Sequence, residues 1–147
     1  MRSELPMILI RLIVGLVFVL EGLLKFLLPE NFGAEHFAAI GFPYAHYLAP
    51  TVGGLELCGG VALIFNFYAG EAAILLMVVM ASAIITTKIP LLLGHALGPF
   101  PPAPGQMTGW IGFLHAIRLE FVLLLGALAI VIDIGLNLGS REKWYNR

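Results

Sequence analysis

The chain has 147 residues, 60% of them hydrophobic and 12% charged, with a mean hydropathy of +0.97 and a formal net charge of -1. Soluble domains carry about 25% charged residues, so this composition excludes an ordinary water-soluble domain. The eight basic residues are scattered and form no basic stripe, which excludes a nucleic-acid surface. The lone Cys58 excludes an internal disulfide and a paired-thiol relay.

A helix crosses the hydrocarbon core with about 20 mostly apolar residues, and four such stretches account for nearly the whole length. The expected fold is therefore all-α: a four-helix transmembrane bundle forming one membrane domain over residues 1–147. The first span runs from about Met7 to Leu28 and stops at Pro29-Glu30-Asn31. Arg11 and Glu21 interrupt its apolar run and no small-residue cleavage site follows, so it is read as a retained span, not a secretory signal. Phe32 to Ala49 mixes aromatic residues with Glu35, His36 and His46, which predicts a short amphipathic helix at the interface. The second span covers about Tyr47 to Phe67 and the third about Ala72 to Leu93. The link between them is short enough to force an antiparallel hairpin. Four prolines between Gly94 and Gly109 favour extended backbone there, and the fourth span covers about Trp110 to Leu136.

Cytoplasmic flanks of membrane proteins are enriched in Lys and Arg. Arg2 precedes the first span and Arg141, Lys143 and Arg147 follow the fourth, whereas Pro29 to His46 and Gly94 to Gly109 hold neither residue type. Both termini are therefore expected on the cytoplasmic side of a bacterial-type cytoplasmic membrane.

An ionisable side chain at membrane depth costs about 2.5–3.5 kcal/mol on insertion scales and is kept only where it faces the bundle and finds a partner. Eight occur here. Six of them, Glu21, Lys25, Glu56, Lys88, Arg118 and Glu120, fall in the outer half and balance in sign. They are the candidate ligand-binding or proton-handling residues. Arg11 and Asp133 lie in the inner half and are expected to form a structural ion pair between the first and last spans. Glu21 precedes Lys25 by four residues, the favourable order for a same-helix pair. Gly53, Glu56 and Gly60 share a face on which small residues admit a neighbouring helix. On the fourth span Arg118 shares a face with His115 and Asp133, while Glu120 sits about 160° away, so one of that pair must point aside.

His36, His46, His95 and His115 have no metal-motif spacing and are read as solvated groups, so no metal site is expected. Cys58 is read as a small buried filler.

The order and spacing of several segments resemble the DoxX-like family of small four-span membrane proteins, from about Arg11 to Val131. The segments are Arg11-Leu12-Ile13-Val14-Gly15-Leu16 with Gly22 and Lys25, Phe37-Ala38-Ala39-Ile40-Gly41-Phe42-Pro43, Gly54-Leu55-Glu56-Leu57-Cys58-Gly59-Gly60, Lys88 and Glu120. The resemblance implies a four-helix bundle in the cytoplasmic membrane. It also implies a kinship with membrane subunits of quinone-linked oxidoreductases, with oxidative-stress complexes and with assembly proteins. Two segments depart from the family pattern: Tyr68-Ala69-Gly70-Glu71 replaces a basic residue after the second span, and Asp133-Ile134-Gly135-Leu136-Asn137 replaces a Gly-Pro-Gly-type end.

The leading functional expectation is a membrane subunit of an oxidoreductase, with no catalytic residue or redox centre of its own, that engages a quinone through the outer polar pocket. In that reading Lys25, Lys88 and Arg118 donate to the head group, while Glu56 and Glu120 balance charge and pass protons. Its partners are the lipid bilayer, an electron-supplying subunit and, through small-residue faces, a second copy. The alternatives are a small proton-coupled transporter using Glu56 or Glu120, and a non-catalytic assembly or interaction protein.

Overall fold

The computed structural model describes the backbone of residues 5–145 and the side chains of residues 5–135. Arg2 and the side chains of Arg141, Lys143 and Arg147, on which the orientation argument rests, lie outside the described residues. Long apolar stretches become helices because a chain in lipid must satisfy its own backbone hydrogen bonds. The helices are α1 (Leu5–Leu27), a short α2 (Ala34–Ala39), α3 (Ala45–Ile64), α4 (Ala69–Leu93) and α5 (Gly109–Tyr145). By length and composition α1, α3 and α4 can each cross a membrane. The four long helices form a ring in which α1 packs on α3, α3 on α4, α4 on α5, and α5 closes against α1.

The α1–α3 contact is the tightest because glycine backbones meet there. A Cβ added at Gly15 would come within 2.7 Å of the Gly60 carbonyl oxygen, and one at Gly60 within 2.6 Å of the Gly15 carbonyl. One turn pair further along, Gly22 meets Gly53 in the same manner. Side chains at these positions would hold the helices apart, so small residues set the spacing. Val14, Phe18, Leu63, Leu76, Met80, Leu123 and Ile130 fill the centre of the ring.

At one end, α3 and α4 are joined by Phe65–Tyr68. The Phe67 N–H bonds back to the Ala62 carbonyl and the Asn66 N–H to the Leu63 carbonyl, with Asn66 at φ 56°. This is the Schellman termination of a helix, with asparagine in the left-handed position usually taken by glycine. The Arg11 guanidinium donates to the Asn66 side-chain oxygen, stitching α1 to the same turn.

Within α4 the residues Ile84–Lys88 form a π-helical turn, closed by the Ile89 N–H donating to the Ile84 carbonyl five residues back. Pro90 supplies a reason: its ring has no N–H and, in a regular helix, would collide with the carbonyl of Thr86. A wider turn relieves the collision, and π turns of this kind re-aim the side chains beyond them. Thr86 and Thr87 donate their hydroxyls to the Ser82 and Ala83 carbonyls, satisfying acceptors around the distortion.

Candidate functional site

The six outer-half candidates fall into two groups, one on each side of the ring. The first is the Glu21, Lys25 and Glu56 group between α1 and α3. Lys25 Nζ lies 2.6 Å from Glu56 Oε2, with both side chains more than nine-tenths buried. The same ammonium reaches the Glu21 backbone oxygen at 3.4 Å and Glu21 Oε2 at 3.9 Å. Close glycine packing makes this possible: Gly53 sits against the Lys25 Cβ, so the lysine emerges beside α3 one turn from Glu56. The lysine's donors are directed at protein oxygens, and this group reads as a closed electrostatic tie between two helices.

The second group is open. Lys88 Nζ lies 2.9 Å from Glu120 Oε1, joining α4 to α5, with both side chains about four-fifths buried. Among the described residues Glu120 Oε2, like Glu56 Oε2, is buried without a hydrogen-bond donor, but Glu56 Oε2 has the Lys25 ammonium 2.6 Å away. The Lys88–Glu120 pair lines a cavity of about 700 Å3 shared with Gln106, Met107, His115 and Arg118. Ile111 and Leu119 give the cavity an apolar flank. The loop that roofs it is pinned where Gly112 lies under the Met107 carbonyl, a contact no larger residue could make. Lys88 has three N–H donors and, among the described residues, Glu120 is its ion-pair partner, so donors remain for a bound oxygen.

The π turn positions Lys88 for this contact, since it ends at that residue and re-aims the side chains that follow the wider turn. On α5 the buried face is the one carrying Glu120, Leu123, Ala127 and Ile130, spaced three, four and three residues apart. The face expected to turn inward, carrying His115, Arg118 and Val122, is exposed instead. Glu120 turns to the bundle because Lys88 meets it there, and Arg118, on the rim, has no ion-pair partner among the described residues.

α2 lies across this end of the ring. Gly33 packs on the Lys25 carbonyl, and Gly41 packs on the Pro99 carbonyl of the proline-rich loop. The rings of Phe37, Phe42 and Phe100 continue that contact at 5.2 and 4.9 Å. α2 thus brings His36 within electrostatic reach of both Lys25 and Lys88. Burial first, then the two ammonium groups, hold its imidazole below the usual histidine range. His36 is exposed, as its sequence position suggested, yet it is near enough to feel the Lys25 and Lys88 charges, which that position did not reveal.

Arg11 meets Asn66, and Asp133 is half-buried further along α5. Cys58 is exposed and not a buried filler: two residues from Glu56 it is turned about 200° round α3, away from the bundle. It faces an apolar groove of about 550 Å3 with Leu57, Val61, Phe65 and Phe67. Among the described residues no group of three His, Cys, Asp or Glu side chains could hold a metal ion.

The model of the DoxX family matches residues 7–89, more than half of the chain. The chain belongs to the DoxX family. It is 35% identical over 123 residues to the uncharacterized membrane protein Rv3486 of Mycobacterium tuberculosis, covering 83% of this chain and 71% of that one. It is also 33% identical over 86 residues to CatD of Bacillus subtilis, a protein provisionally named an oxidoreductase. That match covers 58% of this chain and 62% of CatD. No solved structure matches. Like its mycobacterial relative, this DoxX protein is an integral membrane protein with apolar spanning helices. The DoxX match takes in Glu21, Lys25, Glu56 and Lys88, while Arg118 and Glu120 lie beyond it.

Sequence reasoning missed the π turn, the roofing residues Gln106 and Met107, and the seat of His36. The first had a signal: Thr86-Thr87-Lys88-Ile89-Pro90 places a proline four residues after a threonine carbonyl inside an apolar span. The other two depend on how loops fold back over the bundle, which no periodicity records.

Proposed function

We propose that this protein is a membrane subunit of an oxidoreductase that holds a quinone head group in the Lys88–Glu120 cavity, with α5 as the fourth crossing of the bundle. The observation that carries the reading is the buried Glu120 Oε2, an acceptor with no donor among the described residues, beside an ammonium with donors to spare. A buried carboxylate oxygen without a partner is costly, and a bound hydroxyl would relieve it. A quinone carbonyl accepts from Lys88 and a quinol hydroxyl donates to Glu120, so the pair suits both forms of one molecule. The apolar flank of the cavity suits its ring, and small-molecule sites commonly combine such a flank with a few convergent polar groups.

Reduction of a quinone to a quinol takes two electrons and two protons. The electrons come from a partner subunit and both protons from water at the open side of the cavity. One proton is taken up by Glu120 and passed to the oxygen that Lys88 holds; the other is taken directly by the second oxygen. The naming of CatD as an oxidoreductase supports the reaction class. In this assignment Lys25, Glu21 and Glu56 set the helix frame and do not touch the head group.

The test is to purify the protein in mild detergent from quinone-containing membranes and extract bound quinone from wild type, Lys88→Met and the double variant Lys25→Met, Glu56→Leu. Quinone retained by wild type and the double variant but lost from Lys88→Met supports the assignment. Equal content in all three, or none in any, overturns it. Solute-dependent proton flux in proteoliposomes would instead favour a carrier.

A further inference from the structure

Lys88 is neutralised by Glu120, but among the described residues the Arg118 guanidinium on the same cavity has no carboxylate partner. Arg118 lies nine residues into α5, roughly 13 Å along the helix from Gly109. Its side chain is exposed at the cavity rim, and a cation that far along a membrane helix is expensive unless it is paired or reaches water. Histidine apart, the charged side chains lining the cavity are Lys88, Arg118 and Glu120, two positive and one negative. Arginine presents a planar fork of donors suited to a pair of anionic oxygens, and the charge never titrates away.

We infer that the molecule in this cavity carries an anionic oxygen, which Arg118 binds, in addition to the oxygens held by Lys88 and Glu120. The inference rests on the quinone reading for the second set of contacts and extends it by naming the charge of the ligand. Two sources supply this chemistry: an acidic substituent on the quinone ring, or the phosphate of an anionic lipid lying over the rim. A neutral quinone would leave the guanidinium unmatched.

The full-length protein in phosphatidylcholine nanodiscs is titrated at pH 7 with 2-hydroxy-1,4-naphthoquinone, which is ionised, and with 2-methoxy-1,4-naphthoquinone, which is neutral. Binding is followed by calorimetry. The expected result is at least about a tenfold preference of wild type for the ionised compound, one order of magnitude corresponding to about 1.4 kcal/mol. Arg118→Gln should bind the two alike, and Arg118→Lys should keep most of the preference. Equal binding of both compounds by wild type, with no Arg118-dependent lipid retention in the second arm below, overturns the inference and leaves the quinone reading intact.

A second arm adds phosphatidylglycerol to the nanodiscs and measures lipids co-purifying with wild type and Arg118→Gln. Phosphatidylglycerol that displaces the ionised naphthoquinone, and is retained only when Arg118 is present, identifies the lipid phosphate as the source. If neither naphthoquinone binds but that lipid retention holds, the anionic oxygen stands and the quinone reading falls. If nothing binds and no lipid is enriched, both fall.

Discussion

The Lys25 ammonium and the Glu56 carboxylate form a 2.6 Å pair that is almost wholly shut off from its surroundings, bridging two helices whose glycine backbones touch. Removing one member leaves the other charged and buried, which costs about 3–5 kcal/mol, whereas replacing both with apolar residues of similar volume is often neutral or better. Lys25→Met should therefore lower the melting temperature in detergent sharply, and the double variant Lys25→Met, Glu56→Leu should recover most of the loss. Persistent destabilisation of the double variant would show that the pair does more than tie helices.

Gly15 and Gly60 offer a steric prediction. A side chain at either must push apart two backbones that approach within van der Waals limits, and overpacking of this kind costs about 1–3 kcal/mol. Gly15→Val and Gly60→Val should each unfold at lower temperature than wild type. Gly54→Ala is the matched control, because nothing lies within 4 Å of an added Cβ there, and it should melt like wild type.

His36 predicts a pH dependence. Its imidazole resists protonation in the folded protein because burial, Lys25 and Lys88 oppose the positive charge. The unfolded chain, with an ordinary histidine value of about 6.5, takes up the proton first. Below that pH the unfolded state binds more protons than the folded state, so stability falls as the pH drops through about 6.5 and on through the lowered folded value. His36→Gln should be less sensitive to acid than wild type over pH 7 to 5, as read by thermal unfolding at each pH. Identical slopes for the two proteins would show that the imidazole feels neither lysine.

Pro90 sets the register of the π turn. Pro90→Ala restores the missing N–H and lets Ile84–Lys88 return to ordinary helix, swinging Lys88 by up to a residue's rotation of about 100°. The variant should stay folded, with a melting temperature equal to or above wild type, yet lose bound quinone as Lys88→Met does. Full quinone retention would show that the turn does not aim the lysine.

The four long helices could be located within a few residues from hydropathy alone, except that the last runs on past Leu136 to Tyr145. Lipid demands continuous apolar helices of nearly fixed length and sets no limit on a polar extension. α2 was legible from aromatic residues crowded among Glu35 and His36. What hydropathy could not supply was rotation. Arg118 shares a helical stripe with small and apolar residues and so reads as inward-facing, but Glu120 is the residue drawn in, by a lysine on another helix whose direction depends on a proline two residues further on. Pairing across helices is a property of four sequences at once, and a periodicity argument examines each helix by itself. Lys25 and Glu56 were recognisable as bundle-facing because glycines flank both, and glycine on a lipid helix marks close approach.

The Schellman turn at Phe65–Tyr68, with Arg11 fastened to Asn66, makes one extremity of the molecule a clasp. Three helices are cinched there, and on the far side α4 and α5, tied by Lys88 and Glu120, are joined by a fifteen-residue connection rich in proline. The two ends are thus fastened by different means, a backbone turn with one neutral hydrogen-bond acceptor at the clasp and a charged pair at the pole where α2 rests. Added salt or acid should loosen the second long before the first.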